Sequence, residues 1–152
     1  MARRASAAVL ALLLGLGLAW RVQPAPAEPV TVEVWKTPSC GCCRVWVRHL
    51  QDAGFRVRST DLEDVAPVKR RLGVPPELSS CHTAVVNGYV VEGHVPAADI
   101  VRMLKERPRI KGIYVPGMPI GSPGMEGPNG EKYEVLALDD GSHVSVFAVH
   151  QP

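Results

Sequence analysis

Three of the four cysteines of this 152-residue chain stand together at Cys40-Gly41-Cys42-Cys43. A strand-like stretch, 30–35, leads into the run, and a helix-like one, 44–53, leaves it. Thiols at a helix N-terminus sit near unpaired backbone N–H groups, which favour the thiolate. A thiolate attacks disulfides and binds soft metal ions. The outer pair, Cys40 and Cys43, has the spacing of a redox dithiol. Cys42 is then one sulfur too many for a dithiol, whereas soft metal ions use every thiolate within reach. A disulfide framework is a poor alternative, because a bridge between the neighbours Cys42 and Cys43 would be strained and would staple nothing.

The elements that must position these thiols can be read in order. Thr31 to Lys36 has the β-branched content of a buried strand, and Thr37-Pro38-Ser39 breaks it. Val45, Trp46, His49, Leu50 and Ala53 recur at helical spacing, with Gly54 as the stop. Phe55 to Thr60 alternates as a second strand, and Asp64 to Leu72 forms a short helix closed by Gly73 and Pro75-Pro76. Asn87-Gly88 between two β-rich runs predicts a two-residue hairpin over Thr83 to Glu92. Pro96 opens a helix through Arg107, and Pro108 ends it. The order β-α-β-α-β-β-α, with a parallel crossover and then a hairpin, fits more than one small α/β layout, and the CxxC of Cys40 and Cys43 after the first strand tips the reading to an α/β fold of thioredoxin-like arrangement. In that arrangement the loop entering the third strand faces the CxxC turn and often holds a cis-proline. Here Ser80-Cys81-His82-Thr83 puts a cysteine there, so Cys81 is expected to approach Cys40, Cys42 and Cys43.

The N-terminus reads as a secretory signal over residues 1–27. Arg3 and Arg4 precede an apolar run from Ala5 to Trp20, and Ala25-Pro26-Ala27 offers a cleavage site. The run is short for a bilayer span, which needs about 20 apolar residues. Cleavage removes three arginines and no acid from a chain of 17 basic and 15 acidic residues, leaving a slight acidic excess. No basic field for nucleic acid remains. A periplasmic domain over 28–152 is expected, with a core of about 30–110 and an extension over 111–152. Within the extension, 115–130 is dominated by Pro and Gly and twice spells Pro-Gly-Met, at Met118 and Met125. A loop this long is usually disordered or held by a function. Tyr133 to Leu138 and His143 to Val149 then flank a turn at Asp139-Asp140-Gly141-Ser142 and predict a second hairpin.

Thr37-Pro38-Ser39-Cys40-Gly41-Cys42-Cys43, Ser80-Cys81-His82-Thr83, the stretch from Gly88 to Pro96 containing Gly93-His94, and the Gly/Pro/Met run from Gly117 to Glu126 together resemble the CopG family. These are small exported proteins found in copper-resistance gene clusters. The resemblance covers nearly the whole chain after the signal, and it implies copper handling on a thioredoxin-like scaffold.

Soft thiolate and thioether ligands select Cu(I) over harder ions. The expected copper ligands are Cys40, Cys42, Cys43 and Cys81, with Met118, Met125 and His94 in support. Cys42 and Cys43 diverge as neighbours, so a single compact centre is awkward, and thiolate sulfurs bridging several Cu(I) ions are the natural alternative. Cu(I)/Cu(II) redox activity is a further expectation, which would make the protein a copper-linked oxidoreductase. Its partners would be copper ions and other periplasmic copper-resistance proteins, with no nucleic acid and no membrane. A second reading is a thiol–disulfide oxidoreductase in which Cys40 attacks and Cys43 resolves. A third is a structural zinc module, for which no second ligand pair at zinc-knuckle spacing exists. Alternation along the third strand points His82 to the face opposite Cys81, which favours a structural hydrogen bond over a ligand role. Met103 is read as core, His49, His143 and His150 as packing or solvent residues, and Trp46 as a shield of the site from water.

Overall fold

The computed structural model describes residues 28–151. The expected signal, 1–27, lies outside the described residues. Among those described, no helix is long and apolar enough to cross a membrane.

Strand β1, Thr31–Lys36, alternates between half-buried and buried positions, with Val32, Val34 and Lys36 turned inward. Thr37-Pro38-Ser39 ends it, and helix α1 runs over Gly41–Asp52 with Cys40 as its N-cap. Cys43, Trp46 and Leu50 form the buried stripe of α1, at the spacing of a helix that packs one face on a sheet. Strand β2, Arg56–Asp61, returns parallel to β1. Helix α2, Ala66–Arg71, and a single 3₁₀ turn at Pro76–Leu78 follow. The hairpin predicted at Asn87-Gly88 is present: β3, Thr83–Val86, pairs antiparallel with β4, Tyr89–Glu92. Both turn residues have positive φ, as a hairpin of two residues requires. Helix α3, Ala97–Glu106, stops at Arg107 in the left-handed conformation, directly before Pro108.

The next segment departs from expectation. Ile110–Tyr114 is a strand, β5, lying parallel to β4. A short run with Gly112 at its centre, between Pro108 and Pro116, carries little strand signal in sequence. Gly112 nevertheless explains the pairing, since a Cβ there would stand 2.0 Å from the Val90 carbonyl oxygen. Strand β6, Tyr133–Asp139, pairs antiparallel with β5, and β7, Val144–His150, with β6. The predicted second hairpin therefore continues the sheet through β5. The described residues form a mixed α/β structure with one seven-stranded sheet in the order β2-β1-β3-β4-β5-β6-β7.

One face of the sheet, with Val32, Val34, Ala84, Val91, Ile113 and Val135, buries Trp46 and Leu50 of α1 together with Ile100 and Met103 of α3. Met103 is thus a core residue. Fully burying a side chain of this size stabilises by about 1.5–3 kcal/mol, so the cysteine turn is seated on a helix that the core holds firmly. On the other face a smaller cluster of Val74, Leu78, Val90, Tyr114 and Leu138 packs beneath the 3₁₀ turn. Residues 78–82 leave that turn and carry Cys81 toward the head of α1.

Candidate metal centre

The turn at Cys40 is built by backbone. Cys40 caps α1, and its sulfur accepts from the Cys43 N–H at 3.3 Å. Cys40 and Cys43 are joined as a disulfide, while Cys42 and Cys81 are free thiols. Cys42 Sγ lies 3.6 Å from Cys40 Sγ, and Cys81 Sγ lies 3.4 Å from Cys43 Sγ. All four sulfurs are within 4.8 Å of one another. Cys43 is buried and the other three are partly exposed, so the cluster opens on one side to solvent.

A second group shares Cys81. His94 Nε2 lies 3.1 Å from Cys81 Sγ and His82 Nδ1 lies 3.3 Å from it. The expectation for His82 is corrected here. Strand β3 begins at Thr83, so the alternation of side chains does not reach His82, and its buried ring turns toward Cys81. His94 donates Nδ1–H to the Pro123 carbonyl at 2.8 Å, which leaves Nε2 as the lone-pair nitrogen facing sulfur. Trp46 closes the inner wall. Its ring centroid is 4.3 Å from that of His82, and its indole N–H donates to the Val95 carbonyl at 2.8 Å. Burial lowers the pKa of both His82 and His94, keeping them neutral. Burial first, and Cys42 nearby second, push the Cys81 thiol up to about 12.

The loop that bears Cys81 is held by side chains. The Glu92 carboxylate, fully buried at the end of β4, accepts from the Ser80 N–H at 2.7 Å, from the Thr83 hydroxyl at 2.6 Å and from the Lys69 ammonium. Lys69 also donates to Thr83 Oγ1 at 2.8 Å. Burial raises the Glu92 pKa, and the charge of Lys69 pulls against it. The direct contact with Lys69 and the two further donors favour the ionised carboxylate, so we describe the group as a buried ion pair. On the opposite side, Ser80 Oγ donates to the Gly117 carbonyl, and the Gly117 N–H donates to Ser79 at 3.2 Å. Neither Lys69 nor Glu92 is conspicuous in sequence, although an acid ending the apolar run Tyr89-Val90-Val91 is a signal that a buried partner exists.

The methionine loop joins β5 to β6 and crosses the cysteine turn. Gly124, with φ +90°, comes so close that a Cβ would stand 2.7 Å from the Cys42 carbonyl oxygen and 3.3 Å from His94 Nδ1. Met125 is half-buried beside it, while Met118 is 51% exposed. Of the remaining histidines, His49 accepts the Ala97 N–H at 3.0 Å at the start of α3. His150 lies 2.6 Å from Asp99 and stacks on Tyr133, and His143 is exposed.

Residues 78–125 match a family described as a protein of unknown function, DUF411. That segment holds Cys81, His82, Glu92, His94, Met118 and Met125. No protein of curated function matches. Two solved structures of the copper resistance protein CopG, form 1 and form 2, are each 46% identical to this chain. Each superposes with a TM-score of 0.77, covering 82% of this chain and 100% of its own. The chain belongs to the CopG family. In this CopG-family member the donor set suits a soft ion: four sulfurs, with neutral imidazole at the edge. Four thiolates alone would also suit tetrahedral zinc. The thiol placed 3.4 Å from the disulfide gives the same atoms a second chemistry, thiol–disulfide exchange.

Proposed function

We propose that this protein is an exported copper-binding protein of copper resistance, acting in the periplasm after removal of residues 1–27. The observation that carries the reading is the convergence of four cysteine sulfurs within 4.8 Å. The family membership supports copper as the ion. In this reading Cys40, Cys42, Cys43 and Cys81 hold Cu(I), and the scaffold is thioredoxin-like, with the cysteine turn after β1 and Cys81 in the loop entering β3. Two electrons and two protons from a thiol reductant open the Cys40–Cys43 bridge before all four sulfurs are available. The short contacts among the sulfurs suit thiolates shared between more than one copper, because each shared sulfur spreads its charge over more cation. His94 presents Nε2 beside Cys81, and Met125 lies in the loop packed over the turn, so both are supporting ligands. Met118, exposed on the same loop, fits capture of copper from outside. Cycling between Cu(I) and Cu(II) extends the reading to a copper-linked oxidoreductase.

The test is anaerobic purification with reductant, followed by measurement of copper, free thiols and X-ray absorption. More than one Cu(I) per chain with a Cu–Cu scattering path is expected, and Cys42→Ser should lower the stoichiometry. One copper and no such path would remove the multinuclear form, and no copper would remove the reading altogether. The bridge between Cys40 and Cys43 supports a second reading, a thiol–disulfide oxidoreductase with Cys40 as nucleophile and Cys43 resolving. Insulin reduction that survives Cys42→Ser while copper is lost would favour it.

A further inference from the structure

The four sulfurs form a chain with a direction. Cys42 touches Cys40, Cys40 is bonded to Cys43, and Cys43 touches Cys81. Each sulfur of the bridge therefore has a free thiol at contact distance. The two ends differ in what they would release. Attack by Cys42 on Cys40 would expel Cys43, which is fully buried, where a thiolate is poorly solvated. Attack by Cys81 on Cys43 would expel Cys40, which caps α1, accepts the Cys43 N–H and is partly exposed. A thiolate at a helix N-terminus is stabilised, and a stabilised thiolate leaves faster.

We propose that the oxidised, metal-free protein moves its bridge internally, from Cys40–Cys43 to Cys43–Cys81, and thereby presents Cys40 as a free thiolate at the head of α1. The Cys81 sulfur forms the new bond to Cys43 Sγ as the Cys40–Cys43 bond breaks, and the bonding pair leaves on Cys40 Sγ. The proton of Cys81 is released to solvent on the open side of the cluster, where Cys81 is partly exposed. One disulfide and two unbridged cysteine sulfurs exist before and after, so no oxidant or reductant is consumed. After the exchange Cys40 and Cys42 stand together at the partly exposed end of the cluster, free to attack a disulfide of a partner molecule. This activity goes beyond copper binding and needs no metal.

Peptide mapping tests it without substitution. The tryptic peptide 37–44 contains Cys40, Cys42 and Cys43, and Cys81 lies on the peptide 72–102. The Cys40–Cys43 bridge therefore stays within one peptide, whereas Cys43–Cys81 joins two. Metal-free protein is equilibrated in a glutathione redox buffer, acid-quenched, alkylated and digested without reduction. A cross-linked pair whose fragments place the link at Cys43, with Cys40 alkylated, is expected beside the internal bridge. Cys40→Ser should convert the cross-link into the dominant species, and Cys42→Ser should leave it in place. An unlinked Cys81 in the wild type, whatever Cys40→Ser shows, or a link placed at Cys42, would overturn the relay. Because no copper is present, the result is independent of whether the protein binds copper.

Discussion

The two halves of the sulfur cluster are made in opposite ways. Cys40 owes its environment to backbone: a helix head, an N–H aimed at sulfur and an opening to solvent. Cys81 owes its environment to side chains, with Glu92 and Lys69 behind its loop and His82 and His94 against its sulfur. The first environment favours a charged sulfur before any ligand arrives. The second keeps the thiol protonated, with a pKa of about 12, until a cation or a bond to sulfur replaces the proton. A backbone-built site tolerates most changes around it, whereas a side-chain-built site fails when one partner is removed.

The largest test of that contrast is Glu92→Leu. It leaves the Lys69 ammonium, the Ser80 N–H and the Thr83 hydroxyl without their carboxylate. Removing one partner of a buried ion pair costs about 3–5 kcal/mol, so chemical denaturation should show a loss of that size. Adding Lys69→Met should recover part of it, and equal stability of the single and double variants would argue against a buried ion pair. The next test loosens the loop over the turn. Gly124→Ala places a Cβ against Cys42 O and requires a positive φ from alanine. A loss of about 1–3 kcal/mol is expected, together with faster alkylation of Cys42. Unchanged stability and alkylation would mean that the loop does not press on the turn.

The smallest effect is a pH dependence, of the order of 1 kcal/mol for each unit by which a pKa is shifted. His49, His82 and His94 are all held below the ordinary histidine value of 6.5, chiefly by burial. The unfolded chain binds their protons as pH falls below that value while the folded chain resists. Stability of the metal-free protein is thus fully present above the unfolded pKa and is lost as pH falls toward the folded ones. Thermal melts across the mildly acidic range should show this decline, and a flat profile would contradict neutral buried rings.

The sequence made the cysteine turn legible because local rules govern it: a β-branched strand, a Pro-Ser break and a helix stripe from Cys43 to Leu50. It also made the hairpin at Asn87-Gly88 legible, since only a tight turn demands both residues. Strand β5 escaped because its reason is non-local. Gly112 looks like a breaker until Val90 is placed across from it. His82 escaped for a different cause, as a period of two was extended one residue before the strand began. The partnership of Lys69 with Glu92 spans 23 residues of chain and joins a helix to a strand end, so the acid after Tyr89-Val90-Val91 signals a buried partner but no local pattern identifies it as Lys69.

Trp46 has a consequence for measurement. Its indole is fully buried and lies 4.3 Å, centroid to centroid, from the His82 ring, which itself touches Cys81. Indole emission is quenched by thiols, by protonated imidazole and by copper at short range. In a Trp35→Phe variant the fluorescence of this one side chain would therefore carry a signal from the sulfur cluster, so that exchange of the bridge or arrival of metal could be followed in real time with no added dye.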